Sequence, residues 1–324
     1  SSSGTARGGP TRATRSASDE ERPFEEHVFR PPEADSIEQT YVGKGIPLGA
    51  SKMTSDFFYR RLKFEPVEKS RTEVLVVCND DKMDEENIVS EIYGTREWVE
   101  FDISVKNQVT REEMRAILTK DIDFLHYIGH VDKEGIRCSD GWLDAKTVDE
   151  VNISAFLLNA CKSYEQGEAL VQSGAVGGIV TVVDLLHNTA NKIGQAMAKL
   201  LDSGFSLLSS LDLLKDQSLT ANHYLVIGDG NNQIVTSPSG TPLFANIVDQ
   251  SDSKYSVSLY MYPSKNYALG TIATPQLQNN ETRYLNSGNI GKFTLIEREL
   301  RSFLLKQKFP IRYGGKINYS DEFL

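Results

Sequence analysis

The period of apolar and polar residues changes several times along the chain, and each change marks an element. From about residue 72, "EVLVVCND" is a short continuous apolar run, which reads as a buried strand. "DEENIVSEIYG" then sets Ile88, Val89, Ile92 and Tyr93 on one helical face, with Gly94 placed to end the helix. "REWVEFDIS" reads as extended. Thr110 and Glu113 have capping-box spacing and open a helix whose inward positions are Met114, Ile117 and Leu118. "DFLHYIGH" reads as a strand and, after an excursion of about twenty residues, so does "ISAFLLNAC". Ser163 and Gln166 repeat the capping-box spacing and open a helix that Gly174 closes. "AVGGIVTVVD" is a fifth strand-like run. The next helix carries Ile193, Met197, Leu200 and Leu201 on one face, and the shorter helical run "SLLSSLDLLK" precedes the strand "HYLVIGD".

Strands that alternate with amphipathic helices predict an α/β fold, with a mostly parallel, doubly wound sheet sandwiched by helices. This domain is expected over residues 72–236. Beyond it, "KYSVSLYMYP" alternates and "TLIERELRSFLLKQ" reads as one helix, so residues 237–324 are expected to form a β-rich accessory region. Residues 1–45 are rich in Ser, Thr, Gly, Pro and Arg and then in acidic residues. They show no apolar period and read as a disordered linker, whose basic start (Arg7, Arg12, Arg15) is a solvated or interaction tail. No internal repeat is visible.

Composition narrows the function classes. The 324 residues are 39% hydrophobic and 25% charged, as in a soluble globular protein, and the net charge is −10. That balance argues against nucleic acid as the partner of the whole chain. The three cysteines, Cys78, Cys138 and Cys161, include no CxxC pair, so neither a disulfide framework nor structural zinc is expected, and a reducing cytoplasmic location is. No apolar run reaches membrane-spanning length and no signal peptide is evident, so no membrane association is expected. The chain starts without Met, and further domains upstream are expected.

In open parallel sheets, sites form beyond the C-terminal ends of the strands. Two strands here end in reactive residues, His130 and Cys161. If the strands are neighbours, their ends lie about 5 Å apart and the imidazole can meet the thiol. A helix start just after Cys161 favours thiolate, and Lys162 adds a cation. Backbone N–H groups near Cys161 and Gly129 could line an oxyanion hole. His126, four residues before His130, is a rival base but reads as a buried mid-strand residue. His187 follows a strand, and His27, His223, Cys78 and Cys138 carry no such signal.

These blocks resemble those of a known family. "DFLHYIGHVDKEGIRCSDGWLDA" is similar to the histidine block of CHAT domains, where an apolar strand ends in Gly-His and a small hairpin carries Asp-Gly. "AFLLNACKSYEQGEALVQSGAVGGIVTVVD" is similar to their cysteine block, and "IGQAMAKLLDSGFSLLSSL" to the closing helix pair. The likeness covers about residues 72–236 and points to archaeal proteins of the halophile type. It implies a caspase-like fold and a cysteine endopeptidase that needs no cofactor and no metal. Cys161 would be the nucleophile, His130 its base, and Gly129 and Cys161 the oxyanion site. Asp184 falls where relatives carry an acid at the specificity pocket, which implies a basic P1 side chain. The implied partners are a protein substrate and an upstream sensor or regulatory domain. The chain departs from the family at Val131, where Gly is usual, and lacks the usual Trp in the strand before Asp184. The alternative reading is a catalytically silent interaction module on the same fold. A nucleotide-binding domain is disfavoured, because "SGAVGGIV" lacks GxGxxG and enters a strand. Oligomeric state is left open.

Overall fold

The computed structural model describes residues 27–32, 39–63, 71–79, 93, 101–184, 187–215, 219–237, 240–250, 253–264, 267, 270–274, 277, 283–286 and 288–323. The strands used below are β1 (Thr40–Val42), β2 (Ser51–Met53), β3 (Thr72–Cys78), β4 (Phe101–Asn107), β5 (Ile122–Ile128), β6 (Val131–Asp132), β7 (Gly135–Cys138), β8 (Gly141–Leu143), β9 (Ile153–Asn159), β10 (Gly177–Thr181) and β11 (Tyr224–Gly228). In the C-terminal part they are β12 (Leu243–Gln250), β13 (Lys254–Met261), β14 (Gly288–Ile296), β15 (Pro310–Tyr313) and β16 (Lys316–Tyr319). The helices are α1 (Ser55–Lys63), α2 (Arg111–Thr119), α3 (Tyr164–Gln172), α4 (His187–Asp202), α5 (Leu207–Lys215) and α6 (Glu297–Leu304).

Eight strands form the central sheet in the order β1-β2-β11-β10-β9-β5-β3-β4. Every pairing in it is parallel except β10 with β11. Successive side chains of a strand face opposite sides, so the apolar runs feed two cores. On one side Leu75, Val77, Leu125, Phe156, Leu158 and Val180 join Met114, Ile117 and Leu118 of α2 and Ala169 and Leu170 of α3. On the other, Val76, Phe124, Leu157, Ile179 and Val226 meet Ile193, Met197, Leu200 and Leu201 of α4 and Leu207, Leu208 and Leu211 of α5. Each buried Leu, Ile or Val there contributes about 1.5–3 kcal/mol of transfer free energy. The expected doubly wound α/β sandwich is therefore the observed architecture.

The second sheet has the order β14-β13-β12-β15-β16, with α6 packed on it through Leu300, Phe303 and Leu304. This is the β-rich region expected from the sequence, although "TLI" of its late run extends β14 and the helix begins at Glu297. It shares a core with the central sheet, since Phe244, Tyr262 and Ile317 pack in the cluster of α4 and α5. The Tyr319 hydroxyl also donates to Asp202 at 3.1 Å, and Arg312 donates to the Leu213 carbonyl at 2.5 Å.

Two local expectations change. Residues 40–45 are not linker: β1 pairs in parallel with β2, and Val28–Phe29 pairs with Ile46–Pro47. Strands of two or three residues are too short to show a period. Residues 1–26 and 33–38, the helix expected over 84–94 (Tyr93 apart) and residues 96–100 lie outside the described residues. The Thr110 capping box forms as expected. The Ser163–Gln166 box does not, because both side chains are engaged elsewhere, as described next.

Candidate active site

Strands β5 and β9 are parallel neighbours, with Ile128 opposite Asn159. His130 and Cys161 each follow that pair by two residues, so they occupy equivalent positions beyond adjacent strand ends. His130 is exposed and Cys161 half-buried. After His130 the chain turns into the small antiparallel sheet β6-β7-β8, the excursion noted in the sequence. The His130 carbonyl accepts the Arg137 amide at 2.9 Å and the Tyr127 hydroxyl at 3.0 Å. That hydroxyl also reaches the Arg137 carbonyl at 2.8 Å. Gly129 makes room for it, since a Cβ at 129 would lie 2.5 Å from the Tyr127 oxygen. Val131 is accommodated without strain: it keeps a negative φ, begins β6 and is buried against the core.

The turn 160–163 is tied to β10 by a reciprocal pair of hydroxyls. Ser163 N–H donates to Thr181 Oγ1 at 3.3 Å, and Thr181 N–H donates to Ser163 Oγ at 3.0 Å. The Ser163 hydroxyl donates to the Leu158 carbonyl at 3.1 Å, and the Thr181 hydroxyl donates to the Ala160 carbonyl. Thus Ser163 holds the cysteine turn to the sheet and does not cap α3. Gln166 instead accepts the Ala145 amide at 2.7 Å, which joins α3 to the segment after β8.

Lys162 sits in the left-handed region at φ +47°, a conformation that costs a non-glycine residue about 1 kcal/mol. Its ammonium lies 2.6 Å from Asp184 Oδ2, and both side chains are exposed. The hydrogen bond and charge of Asp184 raise the Lys162 pKa, and the charge of Cys161 adds to the effect. Asp184, Lys162 and Cys161 thus form one cluster at the strand ends.

His126 is the rival base that the structure removes. It is wholly buried, and burial pushes its pKa down to about 3. Its Nδ1 meets the Tyr93 hydroxyl at 3.2 Å, while Nε2 has no hydrogen-bond partner among the described residues. Cys78 and Cys138 are buried, and burial pushes the Cys138 thiol up to about 11. His187 begins α4, but its side chain is outside the described residues. Among the described residues no three His, Cys, Asp or Glu side chains cluster as metal ligands, and no helix is long and apolar enough to cross a membrane.

No family model matches the chain, and no curated protein matches it. Among solved structures it is similar to the complex of the RgpB pro- and mature domains of Porphyromonas gingivalis, at TM-score 0.46 and 11% identity over 83% of this chain and 75% of that one. It is also similar to the Arg-specific cysteine proteinase gingipain R, at TM-score 0.47 and 11% identity over 83% of this chain and 73% of that one. A third similarity is to the separase–securin complex of Saccharomyces cerevisiae, at TM-score 0.43 and 11% identity over 56% of this chain and 14% of that one.

Two residues at the site carried no signal in the sequence reading. Asn159, directly before the cysteine turn, and Tyr224, at the start of β11, are buried and hydrogen-bonded to one another. A polar residue that closes an otherwise apolar run was the available sign for Asn159.

Proposed function

We propose that the chain is a cysteine endopeptidase in which Cys161 attacks the scissile carbonyl and His130 moves the proton. The observation that carries this reading is the register, which puts a thiol and an imidazole at equivalent positions beyond the ends of two paired parallel strands. The resemblance of both blocks to CHAT domains supports the same roles.

In this mechanism His130 takes the Cys161 proton, directly or as a standing ion pair. The thiolate adds to the carbonyl carbon, and the carbonyl oxygen becomes an oxyanion facing the amides of Gly129 and Cys161. The C–N bond then breaks, and the departing amine takes the proton from His130. Water, deprotonated by His130, hydrolyses the thioester and regenerates the thiol. Asp184 receives a basic P1 side chain by a charged hydrogen bond. Because Lys162 already contacts that carboxylate, a P1 Arg or Lys exchanges with it.

The test uses fluorogenic peptides ending in Arg, Lys or an apolar residue, together with a thiol-directed electrophile. Hydrolysis is expected to be lost in Cys161→Ala and in His130→Ala, with labelling confined to Cys161 because the other two thiols are buried. A wild type that hydrolyses nothing, even with candidate activators, overturns the reading. Asp184→Ala is expected to lower basic-P1 cleavage by about 10- to 100-fold relative to apolar P1. An unchanged ratio removes Asp184 from the pocket.

A further inference from the structure

Beneath the cysteine turn lies a buried polar contact that the dyad does not use. Asn159 ends β9, two residues before Cys161, and is 6% exposed. Its Oδ1 accepts the Tyr224 hydroxyl at 2.7 Å, and its Nδ2 donates to the Ala190 carbonyl of α4 at 3.2 Å. Gly194 admits it, since a Cβ there would lie 2.7 Å from Nδ2. Tyr224 is wholly buried, opens β11 and is the register partner of Thr181. Adjacent strands therefore grip consecutive residues: Tyr224 holds Asn159, and Thr181 holds Ala160. Tyr224 also lies near the thiol. Burial first, and then the neighbouring Cys161, raise the Tyr224 phenol above its ordinary pKa.

We propose that Asn159 and Tyr224 are positioning residues for Cys161, and that their hydrogen bond fixes the end of β9 from which the thiol is presented. The proposal rests on the peptidase reading above. Packing alone does not call for this pair, because a Phe at 224 would fill nearly the same space and an apolar residue at 159 would need no acceptor from α4. What the pair adds is direction. It ties the last residue of the strand to β11 and α4 at once, and small displacements of a nucleophile are costly to rate.

The test compares Tyr224→Phe, Asn159→Ala, the double variant and Val257→Ala, a core truncation in the C-terminal sheet that serves as a stability control. Each single variant at the pair is expected to lower kcat about fivefold, equivalent to about 1 kcal/mol for one neutral hydrogen bond, with KM unchanged. The double variant is expected to lose no more than the worse single one, as for two halves of one contact. Val257→Ala is expected to melt earlier with kcat intact. The proposal is overturned if kcat survives in both single variants, if the losses add, or if the control loses as much. The alkylation rate of Cys161 by iodoacetamide is measured in the same proteins and is expected to fall with kcat. If the wild type cleaves no peptide while alkylation falls in the pair variants alone, the peptidase reading fails and the positioning role stands. If cleavage is Cys161-dependent and neither rate moves, the reverse holds.

Discussion

His126 shows what a single residue can contribute without touching substrate. It sits on the strand that delivers His130, four residues earlier, yet burial holds its pKa at about 3 against an ordinary value of 6.5. Folded, it stays neutral down to about pH 3; unfolded, it takes a proton below about pH 6.5. The unfolded chain thus binds more protons throughout that window, so the contribution is complete above about pH 6.5 and is lost as pH falls through it. The slope from this group approaches about 1.4 kcal/mol per pH unit. Urea unfolding between about pH 7 and about pH 4.5 is expected to show this loss, and His126→Met is expected to flatten the profile. An identical slope in the variant would mean that His126 is already protonated in the fold. The sequence distinguished the two histidines by position alone: one lies inside an apolar run and the other after a glycine.

At the scale of elements, the Ser163–Thr181 pair shows where local reading stops. Ser163 and Gln166 have capping-box spacing, and the helix does begin where that spacing places it. The hydroxyl was nevertheless taken by a strand that follows the helix in sequence, because Thr181 satisfies it inside the sheet. No window around Ser163 contains that competitor. Thr181→Val keeps the shape and the Thr181 N–H bond to Ser163 but removes both bonds of the Thr181 hydroxyl, leaving the Ser163 amide and the Ala160 carbonyl short of partners. It is expected to cost about 1–3 kcal/mol and to slow hydrolysis, read by urea unfolding and kcat on the same sample. A variant that loses neither would show that the turn holds itself. The regular elements were legible because their apolar periods are long. Asn159 and Tyr224 were not, since β11 runs against β10 and brings its first residue to the end where β5, β9 and β10 finish. A rule that searches strand C-termini for functional groups passes over the start of an antiparallel strand.

At the scale of the molecule, the C-terminal sheet is bonded to the helices that cover the central one. Phe244, Tyr262 and Ile317 complete the core beneath α4 and α5, and Tyr319 and Arg312 bond to them. The composition change near residue 236 marked a change of texture, and the buried contacts run straight across it. A chain ended at residue 236 uncovers that core. It is expected to lose cooperative melting and Cys161-dependent hydrolysis together, whereas the intact chain is expected to melt in one calorimetric transition. Two separated transitions in the intact chain, or an active truncated one, would make the C-terminal sheet an independent module.

The antiparallel pairing of β10 with β11 in the central sheet has a consequence in time as well as in space. Strands β1 and β2 emerge well before β11 during synthesis, yet β2 reaches the sheet only through β11, opposite Ile227. Tyr224 likewise arrives long after the cysteine whose strand end it holds. A ribosome that has just released Cys161 therefore carries a chain whose β1 and β2 cannot yet join the sheet and whose β9 end lacks its support. The nascent protein leaves the tunnel with its half-buried thiol made and the contacts that fix it still to come.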